Sequence, residues 1–281
     1  MTEQILSDIV VVIVVLGVLS LGVLLISNWV FLNRFREDVL YMKMEDNEEV
    51  YKGEGEVPPL IDTYLRKIKA AEEADLTEAF VTYEGFRRMK PEEKWSLIKG
   101  EQFFRTDKPG FVWMGFSRIN AVVRMNTIEK LTDQTGTHIT RLWSVFPVNR
   151  TGGESVRQGL LVRYAGELVL CPQAFIHNPS VTLEQTGERE VTALVKSGQE
   201  EGTIVFTFSE SGLPESAHAA NRHRGDETEA WQIAYSDYRE TASGVTVPHQ
   251  LDSTWKLQSG DFHDSSIRIK TVHYEESNYK E

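Results

Sequence analysis

The sequence predicts an α+β protein in which an N-terminal transmembrane helix precedes a curved, largely antiparallel β-sheet with two helices. Three observations carry this. Residues 9–32, "IVVVIVVLGVLSLGVLLISNWVFL", form a run of 24 without a charge. From Leu76 onward apolar residues recur at period two between short turns. One long interruption, "ESVRQGLLVRYAGELVLCPQAF", returns to helical spacing, with Val156, Leu160, Leu161, Tyr164 and Leu168 along one side.

The apolar run is long enough to span a bilayer, because at about 1.5 Å per residue it extends roughly 36 Å against a hydrocarbon core of about 30 Å. Trp29 falls where a headgroup belt would place an indole. A cleaved signal peptide would carry a basic leader and an apolar core of about 7–15 residues. Here "MTEQILSD" has Glu3 and Asp8 but no Lys or Arg, so an uncleaved single-pass anchor is expected. Arg34 and Arg36 follow the run directly, so by the positive-inside rule the soluble domain is expected in the cytoplasm, with the extracytoplasmic side as the alternative.

The chain divides into an N-terminal flank (1–8), the membrane helix (9–32), a juxtamembrane segment and acidic linker (33–57) and a soluble β-rich domain (58–281). Within the linker, residues 43–57 are acidic and contain Gly53 and Gly55, with Pro58 following at once. Pro58 and Pro59 open a helix on which Leu60, Ile61, Tyr64, Leu65 and Ile68 share a face, expected to end near Asp75. The second helix should stop before Pro172, since proline disfavours helical backbone at the residue ahead of it.

The strand-like segments number about ten or eleven and follow one another through tight connections, the pattern of an antiparallel meander. Such a sheet needs one face covered, and two helices cannot cover a flat sheet of that width. The sheet is therefore expected to curl around a helix as a partial barrel.

After the anchor, 30 Lys and Arg stand against 40 Asp and Glu, which disfavours nucleic acid as a partner. Cys171 is the sole cysteine, so no intrachain disulfide forms. The sequence contains no nucleophile elbow, zincin helix, cysteine pair, phosphate-binding loop or dinucleotide fingerprint, so neither metal nor cofactor is expected. His218 and His223 fall on opposite faces of a strand and do not make a metal pair.

A series of spaced words, among them "YEGFRR" (83–88), "PGFVW" (109–113), "LLVRYAGEL" (160–168), "CPQAF" (171–175), "SDYRE" (236–240) and "GVTVP" (244–248), resembles a family of prokaryotic proteins known only as a domain of unknown function. The resemblance spans about residues 76–275 and implies no activity, cofactor or catalytic residue. The layout is similar to the half-barrels of lipoprotein carriers. The chain departs from the family pattern at Cys171, where an aromatic residue is usual ahead of the proline.

Candidate ligand-binding residues follow from this layout. In "DKPGFVWMGFSR" (107–118), Phe111, Trp113 and Gly115 share one strand face and Val112, Met114 and Phe116 the other, so both faces need cover. Helix is expected on the concave side and lipid, linker or a partner on the convex side, with Gly115 leaving room beside a cavity. Arg163 and Glu167, four apart with Tyr164 beside them, form either a surface pair or a desolvated pair needing further partners such as Arg222 or Tyr238. Arg222 and Arg224 share one strand face, as solvated decoration or as a site for an anionic headgroup. Trp231 and Trp255 complete the set, as core or as cavity wall.

The leading expectation is a non-enzymatic, membrane-tethered binder of a lipid or other hydrophobic ligand. A structural or protein-interaction module, docking through a convex patch that includes Phe116, is a second reading. An enzyme acting on a membrane-soluble substrate through Arg163, Glu167 and Tyr238 is a third.

Overall fold

The structure, a computed structural model, describes residues 2–44, 57–70 and 76–276. Most of the expected linker lies outside the described residues. A single helix, α1 (Thr2–Met44), contains the apolar run and continues beyond it. Nothing in "FREDVLYMKM" breaks a helix, and Phe31, Phe35, Val39 and Met42 fall at helical spacing on one side. These four are buried, although the apolar stretch upstream is exposed throughout. This part of α1 is long and apolar enough to cross a membrane.

Helix α2 (Pro59–Lys67) starts at the paired prolines and is shorter than the spacing predicts. Lys69 takes a left-handed backbone (φ 63°), while the carbonyl of Ile68 accepts a hydrogen bond from the Thr246 amide. That geometry ends the helix and ties it to the sheet.

Six strands follow as a meander: β1 (Leu76–Arg87), β2 (Ser96–Arg105), β3 (Phe111–Arg118), β4 (Arg124–Leu131), β5 (Gly136–Leu142) and β6 (Phe146–Gly152). Helix α3 (Glu154–Gly166), a 3-10 turn (Leu168–Leu170) and the short α4 (Ala174–His177) then cross the concave face. A second meander returns through β7 (Val181–Gly187), β8 (Glu190–Ser197), β9 (Glu200–Phe208), β10 (Pro214–Arg224), β11 (Glu227–Glu240), β12 (Thr246–Leu257) and β13 (Gly260–Glu276). The spatial order is β6-β5-β4-β3-β2-β1-β13-β12-β11-β10-β9-β8-β7, every pairing antiparallel. The first and last strands therefore meet in the middle of the sheet, and β6 and β7 are its edges.

The sheet has 13 strands, more than the ten or eleven that periodicity suggests. Strand β4 hides because Asn126, Thr127 and Glu129, all buried, interrupt its apolar pattern. "THITRLWSVFPV" divides into β5 and β6 at Trp143 and Ser144, which take left-handed backbone (φ 52° and 64°) without a glycine or proline to signal it. Helix α3 ends at Gly166 and passes into the 3-10 turn ahead of Pro172.

Two cores flank the sheet. The larger fills the concave side, where α2, α3 and the 3-10 turn bury Ile61, Tyr64, Leu161, Val162 and Val169 against inner strand positions such as Val191, Ile204 and Phe206. Helix α3 approaches closely because of its glycines. A Cβ at Gly159 would lie 2.8 Å from the His223 carbonyl, and one at Gly166 would lie 2.9 Å from the Trp231 ring.

The smaller core lies on the convex side. Phe31, Phe35, Val39 and Met42 pack there on Phe103, Val112, Met114 and Ile128. Phe31 meets Phe116 edge-on at 6.2 Å, and Phe35 meets Phe80 at 6.5 Å. Polar contacts line the same seam. Ser144 donates to Asn28 (3.4 Å), Lys130 to Asp38 (2.6 Å), and Arg105 to the Met42 carbonyl (2.7 Å), and Lys43 pairs with Glu78 (2.7 Å). The cover expected from lipid, linker or partner on the second face of β3 is thus supplied by the chain's own helix.

Candidate functional site in the concave cleft

Between α3 and the inner face of the sheet lies a cavity of about 120 Å³. A cleft of about 420 Å³ adjoins it, bounded by the N-terminal end of α3, the β1–β2 turn and the β10–β11 turn. Arg222 and Glu129 line both.

Arg163, on the last turn of α3, is the hub of the cavity. Its Nε donates to Glu167 Oε1 (2.9 Å), Nη2 to Gln102 Oε1 (2.9 Å) and Nη1 to Glu129 Oε2. Gln102 Nε2 closes the ring by donating to Glu167 Oε2 at 2.8 Å. On the other side of Glu129, Oε1 meets His138 Nδ1 at 2.8 Å. The guanidinium also lies over Trp113 (5.0 Å) and Phe111 (5.2 Å). Burial works to raise the Glu129 carboxyl, but the Arg163 charge and the His138 contact outweigh it and hold Glu129 well below the ordinary carboxylate range.

Arg222 is placed differently. From β10 it lies over the rings of Trp231 (4.3 Å) and Trp255 (4.9 Å), and its Nε donates to the Gly159 carbonyl at 3.0 Å. Among the described residues no acceptor meets its two terminal nitrogens. Burial, and then repulsion from Arg163, lowers its pKa to about 10, so it stays cationic at neutral pH. Arg224 follows on the same face, over Trp255 (5.7 Å) and Phe262 (5.4 Å). Neither arginine is free strand decoration. Trp231, 2% exposed, lines the cavity with an indole N–H that meets no acceptor among the described residues.

The other residues singled out by sequence divide. Trp113 lines the cavity and stacks on Tyr83 (6.1 Å). Its indole occupies the space above Gly115, where a Cβ would lie 2.3 Å from the ring, so Gly115 makes room for Trp113 rather than for a ligand. Phe111 is sealed in the core against Phe104. Tyr164 is fully buried, its hydroxyl donating to the Arg105 carbonyl (2.8 Å) and accepting from Asn178 (3.0 Å), and it lines neither space. Tyr238 donates to the Pro214 carbonyl (2.7 Å), away from the cavity. Arg163 and Glu167 form the desolvated pair, but Glu129 and Gln102 match it, not Tyr238, and Arg222 makes no hydrogen bond to it. Cys171 is buried, its thiol pushed up by desolvation and by Glu167.

Sequence reasoning missed Gln102, Glu129 and His138. The available signal was polar residues at inward positions of β2, β4 and β5, which a search for apolar alternation passes over. Among the described residues no group of three or more His, Cys, Asp or Glu side chains converges as for a metal ion.

Residues 52–264 match the family of unknown function DUF6544. The chain belongs to that family. No functionally curated protein matches it. Among solved structures, it is similar to a DUF1329 family protein from Desulfovibrio piger, at 12% identity and TM-score 0.45, covering 78% of this chain and 93% of that one. It is also similar to a domain described as an outer membrane lipoprotein-sorting protein from Vibrio parahaemolyticus, at 8% identity and TM-score 0.40, covering 79% and 95%. A LolA superfamily protein from Nitrosomonas europaea aligns at 12% identity and TM-score 0.36, covering 75% and 93%. These likenesses concern strand layout alone.

Proposed function

We propose that this DUF6544 domain is a membrane-tethered binder of an amphipathic ligand, an anionic group held by Arg222 and a short apolar portion laid against Trp113, Trp231 and Trp255. The observation that carries the reading is Arg222. It is a cation lying over two tryptophans, with terminal N–H groups that meet no acceptor among the described residues, at the junction of the cavity and the cleft. Arg163 is satisfied by three partners and serves to hold the wall. The cavity is too small for a whole two-chain lipid, so the bulk of such a ligand would lie in the outer cleft. The convex patch that includes Phe116 is occupied by α1, and Tyr238 is remote from Arg163 and Glu167 as a catalytic set. In this reading α1 is the single-pass anchor.

The test is titration of the full-length protein in neutral detergent with a medium-chain fatty acid, followed by tryptophan fluorescence. Wild type is expected to saturate, the corresponding fatty alcohol to bind at least about tenfold more weakly, and Arg222→Gln to lose about the same, because a charged hydrogen bond contributes about 1.5–3 kcal/mol. Equal binding by acid and alcohol, or by wild type and Arg222→Gln, would remove Arg222 as the recognition element.

A further inference from the structure

The convex seam fixes where the apolar part of α1 leaves the domain. Residues 28–42 lie along the strands of the β1–β4 region, with Met42 at the β2–β3 end through Arg105 and Asn28 at the opposite end through Ser144 of the β5–β6 turn. Upstream of Asn28 the helix projects past that end. Residues 9–27 then supply about 28 Å of apolar helix, close to the roughly 30 Å of a hydrocarbon core. If α1 spans a bilayer, the membrane boundary therefore coincides with the β1–β2, β3–β4 and β5–β6 turns.

The surface at that end matches such a boundary. Met89 and Trp95 on the first turn, Ile119 and Val122 on the second, and Phe146 and Val148 beside the third are all at least 42% exposed. Phe86 and Leu97, at the same end of β1 and β2, are the other exposed large apolar side chains described outside α1. Leaving α1 aside, whose C-terminal turns expose Leu40, Tyr41 and Met44 there, the opposite end carries none among the described residues. Charge follows the same division. Residues 88–95, 118–124 and 141–150 hold seven Lys and Arg against two Glu, in a chain of net charge −12. Arg88 and Met89 also border the outer cleft.

From this geometry we infer that the three-turn rim on the β1–β6 half is a second membrane contact, seated on an anionic lipid surface with its apolar tips in the headgroup region. Apolar tips ringed by Lys and Arg suit that layer, where apolar burial and attraction to acidic lipids add. The outer cleft then opens beside the headgroups. The inference rests on the reading of α1 as a membrane helix and is independent of Arg222.

The full-length protein, reconstituted in vesicles of phosphatidylcholine and phosphatidylglycerol, tests it. Single cysteines at Val12, Val122, Phe146 and Gln134 are labelled with an environment-sensitive fluorophore, Cys171 being buried, and quenching by brominated lipid is measured. Gln134 lies on the exposed β4–β5 turn at the opposite end. Labels at Val122 and Phe146 are expected to be quenched at least about threefold more than the one at Gln134, and Ile119→Asp with Val122→Asp to abolish the quenching at Phe146. Val122 and Phe146 behaving like Gln134 while Val12 is quenched would overturn the rim contact and leave the span intact. An unquenched Val12 would overturn the span and the rim contact with it.

Discussion

The two faces of β3 carry similar side chains and solve opposite problems. On the convex face Val112, Met114 and Phe116 meet another apolar surface, and the seam with α1 is apolar at its centre with charges at its margins. On the concave face Trp113 meets a guanidinium inside a ring of acidic and amide groups, all within the core. An apolar seam tolerates small shifts, because its energy follows area. A buried polar ring does not, because each member left without its partner pays a desolvation cost. The concave side is therefore the rigid half of the molecule, and the convex seam the one that can adjust.

Arg163→Met should expose this difference most sharply. It leaves Glu129 and Glu167 buried without their cation and should cost about 3–5 kcal/mol, read by chemical denaturation in detergent. A loss below about 1 kcal/mol would show that the ring is solvated and the contrast false. On the convex side, Met42→Ala removes the side chain that rests over Gly110 and should cost about 2–4 kcal/mol. Hydrogen exchange should then rise along α1 residues 28–44, with the concave strands unchanged. Exchange rising equally on both faces would mean that the two cores unfold as one.

Acid gives the smallest and most specific effect. The Glu129 carboxyl is held below its ordinary 4.5, so the stability it contributes is complete above that pH and is lost as pH falls toward the depressed value. Below 4.5 this one group should add a slope of about 1.4 kcal/mol per pH unit. Glu129→Gln, less stable at neutral pH, should lack that increment. Parallel wild-type and variant profiles between pH 4.5 and 3 would show that Glu129 titrates normally.

How much was legible in the sequence follows from the same contrast. The long apolar helix, the curled antiparallel sheet and the inner helix are written in apolar patterning, and that is what the hydrophobic effect leaves behind. Arg163 and Glu167 were visible because helical spacing brings them together. Glu129, Gln102 and His138 come from three strands distant in the chain, so only the sheet register joins them to Arg163. The docking of α1 was hidden for another reason. Phe31 lies within the apolar run and Phe35, Val39 and Met42 follow it, so their stripe merges with apolarity that runs all round the helix.

The meeting of β1 with β13 at the centre of the sheet has a consequence for synthesis. Ala79 pairs with Tyr274, so the seam that joins the two meanders needs a segment made almost two hundred residues after its partner. Contacts of such separation are slow to form, and the exposed edges of β1 and β12 are open to wrong pairing meanwhile. Helix α1 is made first and lies against β3 and its neighbours, so the early meander has a template on one face while it waits. The later meander has α3 and α4 in the same role. Helix α3 touches strands of both meanders, and β13, made last, acts as the final clasp that makes them one sheet.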